Sequence, residues 1–173
     1  MTRIFLIRHA ETEQSHDDAA LWPLSDHGEE QVRALAQQPF WSEVKAIITS
    51  DEPKAVSTVD RIAFERNIPF FMHPGLRDLK RTPEWIEDYE ARVLEVFQKP
   101  ALSIGGWERA ADAQSRILTA LDELIAKYDP EPFAVVSHGM VLSLLLASVN
   151  NMLEQVFDVW QQLGFATVVL MER

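Results

Sequence analysis

The four residues Ile4-Phe5-Leu6-Ile7 constrain this chain more than any other stretch. They are apolar with no polar residue alternating among them, so the run reads as a strand buried on both faces rather than one with a wet side. It halts abruptly at Arg8-His9. In open α/β sheets ligands bind beyond the carboxyl ends of the strands. A central strand that delivers an arginine and a histidine there suggests an anion site beside a nucleophile or base.

The same design returns near the other end of the chain, where Phe133-Ala134-Val135-Val136 runs into Ser137-His138-Gly139. Between these two, Ala46-Ile47-Ile48 and the stretch 68–72 read as shorter strands, and 166–171 as a last one. Helical periodicity fills the gaps. Ser25 or Asp26 can cap a helix running to about residue 38. A helix over about 52–67 carries Pro53 in its first turn, where the missing N–H costs nothing. Further helices are expected over 83–98, 108–128 and 140–149. The polar stretch 12–23 reads as a loop lying over the site. With no repeat, low-complexity segment or linker, residues 1–173 are expected to form one domain. Strands alternating with helices imply an α/β fold: a three-layer α/β/α sandwich with a largely parallel central sheet. The charged helix over 83–98 is a small helical insertion upon it.

If the strands are parallel, four strand ends meet along one edge: Arg8-His9, the segment 50–54, the segment 76–78, and Ser137-His138. Two histidines, an arginine, a lysine and a carboxylic acid then share a site. Phosphoryl transfer wants such a set, because cations and donors hold the equatorial oxygens while a nucleophile attacks in line and an acid protonates the leaving oxygen. A local cationic pocket is required for it, since 16 Lys and Arg against 27 Asp and Glu leave a formal charge of -11. That balance argues against sequence-independent nucleic-acid binding. The absence of cysteine excludes thiol nucleophiles, thiolate zinc sites and disulfides. No apolar run approaches the roughly 20 residues that span a bilayer, and the N-terminus opens into a strand without signal-peptide architecture. A cytoplasmic protein with no membrane partner is expected.

Six ordered segments resemble the histidine phosphatase superfamily, the group that includes cofactor-dependent phosphoglycerate mutases. They are Arg8-His9-Ala10-Glu11-Thr12; Leu24-Ser25 with Gly28 and Gln31; Thr49-Ser50-Asp51-Glu52-Pro53-Lys54-Ala55; Leu76-Arg77-Asp78; Gly106-Trp107-Glu108; and Ser137-His138-Gly139. The resemblance implies a phosphoglycerate mutase-like fold and a phosphatase-type member that needs no metal and no cofactor. It implies that His9 is the nucleophile that becomes phosphohistidine. Arg8, Lys54 and His138 would hold the phosphate, with Ser15 and Gly139 also at the substrate, and Asp78 would be the general acid and then the base. The substrate is expected to be a small phosphorylated molecule or a phosphoprotein. A mutase fits less well, because the chain is short and shows little insertion from which to build a sugar-acid pocket.

Four departures from the family pattern stand out. Lys54 replaces an arginine, so a two-pronged clamp becomes a point charge. One lost charge-assisted hydrogen bond, worth about 1.5 to 3 kcal/mol, would slow the reaction roughly 10- to 150-fold. Asp78 is one methylene shorter than the usual glutamate, and Glu84 is an alternative acid. Ala10 stands for glycine, which requires negative φ there. Ser15 takes the place of a phosphate-contacting asparagine. Lys54 and Asp78 therefore motivate a rival reading, a catalytically weak or inactive phospholigand-binding relative. A third reading makes His9, Asp78 and His138 metal ligands, but no His-x-His or His-Glu-x-x-His spacing supports it. Trp22, Trp85 and Trp107 read as packing, Trp41 and Trp160 carry no functional signal, and Glu108 either orients a cation behind the site or begins a helix.

Overall fold

A computed structural model describes residues 1–14, 18–84 and 86–173. The apolar runs form one five-stranded sheet. β1 (Arg3–Arg8) and β4 (Phe133–Ser137) lie side by side in parallel, with Arg8 opposite Ser137. β2 (Ala46–Thr49) pairs with β4 on its far side and β3 (Phe70–Met72) pairs with β2, both parallel. β5 (Val168–Glu172) closes the other edge antiparallel to β1, giving the order β3-β2-β4-β1-β5. The sheet is mostly parallel with helices on both sides, as the sequence pattern requires.

The period-two alternation of side chains divides each central strand between two cores. Ile4, Leu6, Phe133 and Val135 face one side, with α3 (Tyr89–Gln98), α4 (Ala110–Tyr128), α5 (Gly139–Val149) and α6 (Val156–Gln162). Phe5, Ile7, Ala134 and Val136 face the other, with α1 (Asp26–Ala36) and α2 (Pro53–Arg66). Each fully buried branched side chain contributes about 1.5 to 3 kcal/mol. α5 is apolar almost throughout because it lies against the sheet with α4 and α6 packed upon it. Among the described residues no helix is long and apolar enough to cross a membrane.

Four elements differ from expectation, the first being β3, which starts at Phe70 rather than 68. The charged helix starts at Tyr89 rather than near Pro83; Asp88 caps it by accepting the Ala91 N–H at 3.2 Å, and Thr82, Pro83, Glu84, Ile86 and Glu87 before it line a cleft. α6 has no counterpart in the sequence reading, because seven residues give too few turns for a helical period to declare itself. β5 begins at Val168, two residues after Ala166, whose φ of 53° interrupts extended backbone.

The α1 start fixes the loop over the site. The Ser25 hydroxyl accepts the Gly28 N–H at 3.0 Å and donates to Glu11 Oε1 at 2.8 Å. Gly28 admits no side chain, since a Cβ there would sit 2.1 Å from the Glu11 carbonyl oxygen. Thr12 and Leu24 pair across the base of the intervening loop.

Candidate active site

The carboxyl ends of the parallel strands bring the expected residues together. Arg8, His9, Lys54, Asp78 and Gly139 line one cleft of about 590 Å³, within the usual size range of small-molecule sites. Strand pairing continues past the sheet edge to fix them: the His9 N–H donates to the Ser137 carbonyl and the Ser50 N–H to that of Val136, each at 2.9 Å. Ser15, expected at the substrate, lies outside the described residues, as does Trp85.

His9 is 6% exposed, and its Nδ1 lies 2.7 Å from the Ala10 carbonyl oxygen. A carbonyl only accepts, so Nδ1 carries the proton and Nε2 carries the lone pair. Burial first, then the neighbouring His138 and Lys54, hold the His9 pKa well below the ordinary imidazole value of 6.5. The neutral, nucleophilic form is thus the resting one. Ala10 is fully buried with its N–H donated to the Thr58 hydroxyl at 3.0 Å, and it is absent from the positive-φ residues, so the methyl group is accommodated.

The His138 ring centre is 5.1 Å from that of His9. His138 is fully buried, and burial followed by the charge of Lys54 holds its pKa well below 6.5 as well. Its Nε2 is 2.8 Å from the Ser50 hydroxyl, while Nδ1 is buried without a hydrogen-bond partner among the described residues. Arg8 packs its guanidinium 4.0 Å from the centre of the Phe165 ring and donates through Nη1 to the Leu163 carbonyl at the end of α6. Its Nε is also buried and unpartnered among the described residues. Glycine at 139 permits this position, since a Cβ there would lie 3.0 Å from Arg8 Cζ.

Two residues that the sequence did not single out organise the rest. Glu52 places Oε2 3.1 Å from Lys54 Nζ, accepts the Asp78 N–H through Oε1 at 2.9 Å, and has Oε1 3.7 Å from His138 Nε2. Burial raises the Glu52 pKa despite the opposing pull of Lys54. Lys54 is 3% exposed, and its Nζ also donates to the Ala19 carbonyl at 2.8 Å. Arg116 donates to the carbonyls of Gly75, Arg77 and Asp78 at 3.1, 2.7 and 3.1 Å, gripping the backbone that carries Asp78. Glu108 pairs with Arg116 at 2.9 Å and accepts the Lys80 N–H at 2.9 Å. It therefore orients a cation behind the site, one of its two expected alternatives.

Asp78 has Oδ2 3.8 Å from Arg81 and accepts the Leu79 N–H through Oδ1 at 3.0 Å. Glu84 also lines the cleft but is exposed. Trp22, Trp107 and Trp160 all line it too, a placement that the sequence context of Trp160 did not signal. Among the described residues no group of three or more His, Asp or Glu side chains is arranged to hold a metal ion.

The sequence matches the model of the histidine phosphatase superfamily (branch 1) over residues 4–172. A probable phosphoglycerate mutase GpmB of Photorhabdus laumondii is 33% identical over 166 residues, covering 86% of this chain and 75% of that protein. Among solved structures, YhfR of Bacillus stearothermophilus superposes with a TM-score of 0.82 at 24% identity, covering 99% of this chain and 91% of its own. A mycobacterial glucosyl-3-phosphoglycerate phosphatase superposes with a TM-score of 0.79 at 21% identity, covering 99% and 90%. Both superpositions establish the shared fold.

Proposed function

This chain belongs to the histidine phosphatase superfamily (branch 1), and from that premise we propose that it is a metal-independent phosphatase hydrolysing small phosphomonoesters through a phosphohistidine on His9. The observation that carries the reading is the His9 ring itself, buried, with Nδ1 committed to the Ala10 carbonyl and Nε2 left as the nucleophile. The His9 Nε2 lone pair attacks phosphorus and the bond from phosphorus to the leaving oxygen breaks. Asp78, in its acid form, gives its proton to that oxygen. Water then attacks the phosphohistidine, its proton passes to the Asp78 carboxylate, the N–P bond breaks, and phosphate and free His9 are restored.

Two of the buried atoms without a hydrogen-bond partner among the described residues fit this cycle. If the Ser50 hydroxyl donates to His138 Nε2, then His138 Nδ1 is an N–H donor, and with Arg8 Nε it supplies two donors for phosphoryl oxygens in a site sheltered from water. Donors fixed by the fold need little reorganisation as charge builds on those oxygens. Turnover of 4-nitrophenyl phosphate that persists in excess chelator, with an acid-labile phosphoenzyme, tests the reading. Catalysis abolished by chelator and restored by a divalent ion would sink it.

Lys54 favours a second reading, phospholigand binding with little turnover, because Glu52 and the Ala19 carbonyl already occupy two of its donors. Phosphate affinity without hydrolysis across a broad panel would select it.

Two further outcomes follow from the site. Because His9 and His138 both sit well below 6.5, kcat/KM is expected to hold steady as pH falls through 6.5 and to decline only at more acid pH, as the free enzyme's nucleophile protonates. A pH profile with a half-point at or above 6.5 would contradict that. Asp78→Asn is expected to slow hydrolysis of an alkyl phosphate about 10²- to 10⁴-fold, and far less with 4-nitrophenolate, which leaves without a proton. Glu84→Gln should stay within about threefold. The reverse pattern would make Glu84 the acid.

A further inference from the structure

Resting on the phosphatase reading, the geometry points to Phe165 as a positioning residue of the phosphate site: its ring face holds the Arg8 guanidinium for the reacting phosphate, in place of a carboxylate counter-ion. Phe165 lines the cleft from the turn between α6 and β5. None of the six segments that carry the family resemblance includes it.

Arg8 has few partners for a partly buried cation. Burial lowers its pKa from the ordinary guanidinium value, yet no described carboxylate lies within ion-pairing distance of it. Nη1 donates to the Leu163 carbonyl, while Nε and Nη2 have no acceptor among the described residues. What remains is the ring. Arg8 Cζ stands 4.0 Å from its centre, closer than any other cation and ring among the described residues. A ring face attracts a cation through its quadrupole but carries no net charge. It therefore offsets part of the cost of burying the guanidinium without cancelling the field that a phosphate dianion needs. A carboxylate in its place would do the first and undo the second.

Backbone bonds to the same two site residues fix where the ring stands. The Arg8 N–H donates to the Thr167 carbonyl at 3.1 Å and the Ala166 N–H to the His9 carbonyl at 3.2 Å. Ala166 itself takes a φ of 53°, a strained conformation for a residue with a side chain, held there by the bonds around it. Arg8 also has an alternative close by. Glu87, Asp88 and Glu90 share a side groove with it, so a guanidinium that leaves the ring meets carboxylates that draw it away from the phosphate. The ring biases this balance toward the phosphate-holding orientation, and apparent phosphate affinity scales with the fraction of the protein in that orientation.

The test replaces Phe165 in the full chain by phenylalanines carrying one, two and three ring fluorines, which withdraw charge from the ring face with little change in volume. The logarithm of kcat/KM for 4-nitrophenyl phosphate is expected to fall stepwise with fluorine number, by on the order of tenfold in all at three. The dissociation constant of inorganic phosphate should rise in step. Phe165→Leu, which keeps an apolar side chain and loses the ring face, should lose about tenfold to thirtyfold in kcat/KM. In Arg8→Met the fluorine series should become flat, since the cation it acts on is gone. A flat series with Arg8 present, or a slope that survives Arg8→Met, would overturn the inference. The second result would put the effect on the His9 ring, whose centre is 5.6 Å from that of Phe165. Turnover with a flat series would leave the phosphatase reading standing, whereas graded phosphate affinity in a chain that hydrolyses no phosphomonoester would remove that reading and keep the role of Phe165.

Discussion

His9→Ala is expected to lower kcat/KM for an aryl phosphate by on the order of 10⁴- to 10⁶-fold and to abolish the phosphoenzyme, the largest effect any single substitution in this chain should produce. That corresponds to about 5 to 8 kcal/mol of lost transition-state stabilisation. The size follows from the role: among the described residues no other side chain in the cleft presents a buried neutral nitrogen with its lone pair fixed by a backbone hydrogen bond. His138 cannot substitute, because its Nε2 is engaged with Ser50 2.8 Å away and its ring is fully buried. Phosphate binding should survive within about tenfold, since Arg8, Lys54 and His138 remain. Rapid-quench trapping with labelled substrate reads the phosphoenzyme directly, and steady-state assay reads the rate. A variant that keeps even a tenth of the activity, or that still forms the acid-labile adduct, would remove His9 from the mechanism.

How much of this was legible beforehand depends on what kind of signal each residue leaves. The central strands were plain, because burial on both faces demands unbroken apolar runs and the chain contains few of them. Arg8, His9 and His138 were legible because they interrupt those runs where a parallel sheet presents its ligands. The Nδ1 acceptor of His9 was not, since the Ala10 carbonyl is backbone and has no residue signature. Glu52 and Arg116 were illegible for a different reason. Each acts across the fold, Glu52 on the N–H of Asp78 26 positions on and Arg116 on the Asp78 carbonyl 38 positions back, and only the packing of helix against loop reveals such partners. Tyr89 lay within the expected charged helix and Trp160 in a segment with no expected element, and helical periodicity reports which face is buried, not that the buried face borders a cleft.

Lys54→Met is expected to cost both activity and stability, and Glu52→Gln should restore only the second. The Lys54 ammonium is almost fully buried, 3.1 Å from a Glu52 carboxylate that is itself only 12% exposed. Removing one partner of a buried pair typically destabilises by about 3 to 5 kcal/mol, because the other charge is left uncompensated. For a chain of this length that lowers Tm by about 10 °C. The loss should depend on pH. The Glu52 pKa is already raised by burial, and without Lys54 to oppose it the folded value rises further. A carboxyl with a folded pKa above its unfolded one contributes its stability below the unfolded pKa and loses it as pH rises through the folded one. The deficit of Lys54→Met is therefore greatest at neutral and alkaline pH and shrinks on acidification. In Lys54→Met/Glu52→Gln no ionisable carboxyl remains at that position, so most of the lost stability and its pH dependence should disappear. Activity should not recover, because the phosphate has lost a cation, and kcat/KM is expected to stay roughly 10²- to 10³-fold down in both variants. Chemical denaturation at several pH values separates the two effects. Equal destabilisation of single and double variants would show that Glu52 is not the counter-charge of Lys54, and full activity in either would take Lys54 out of the phosphate site.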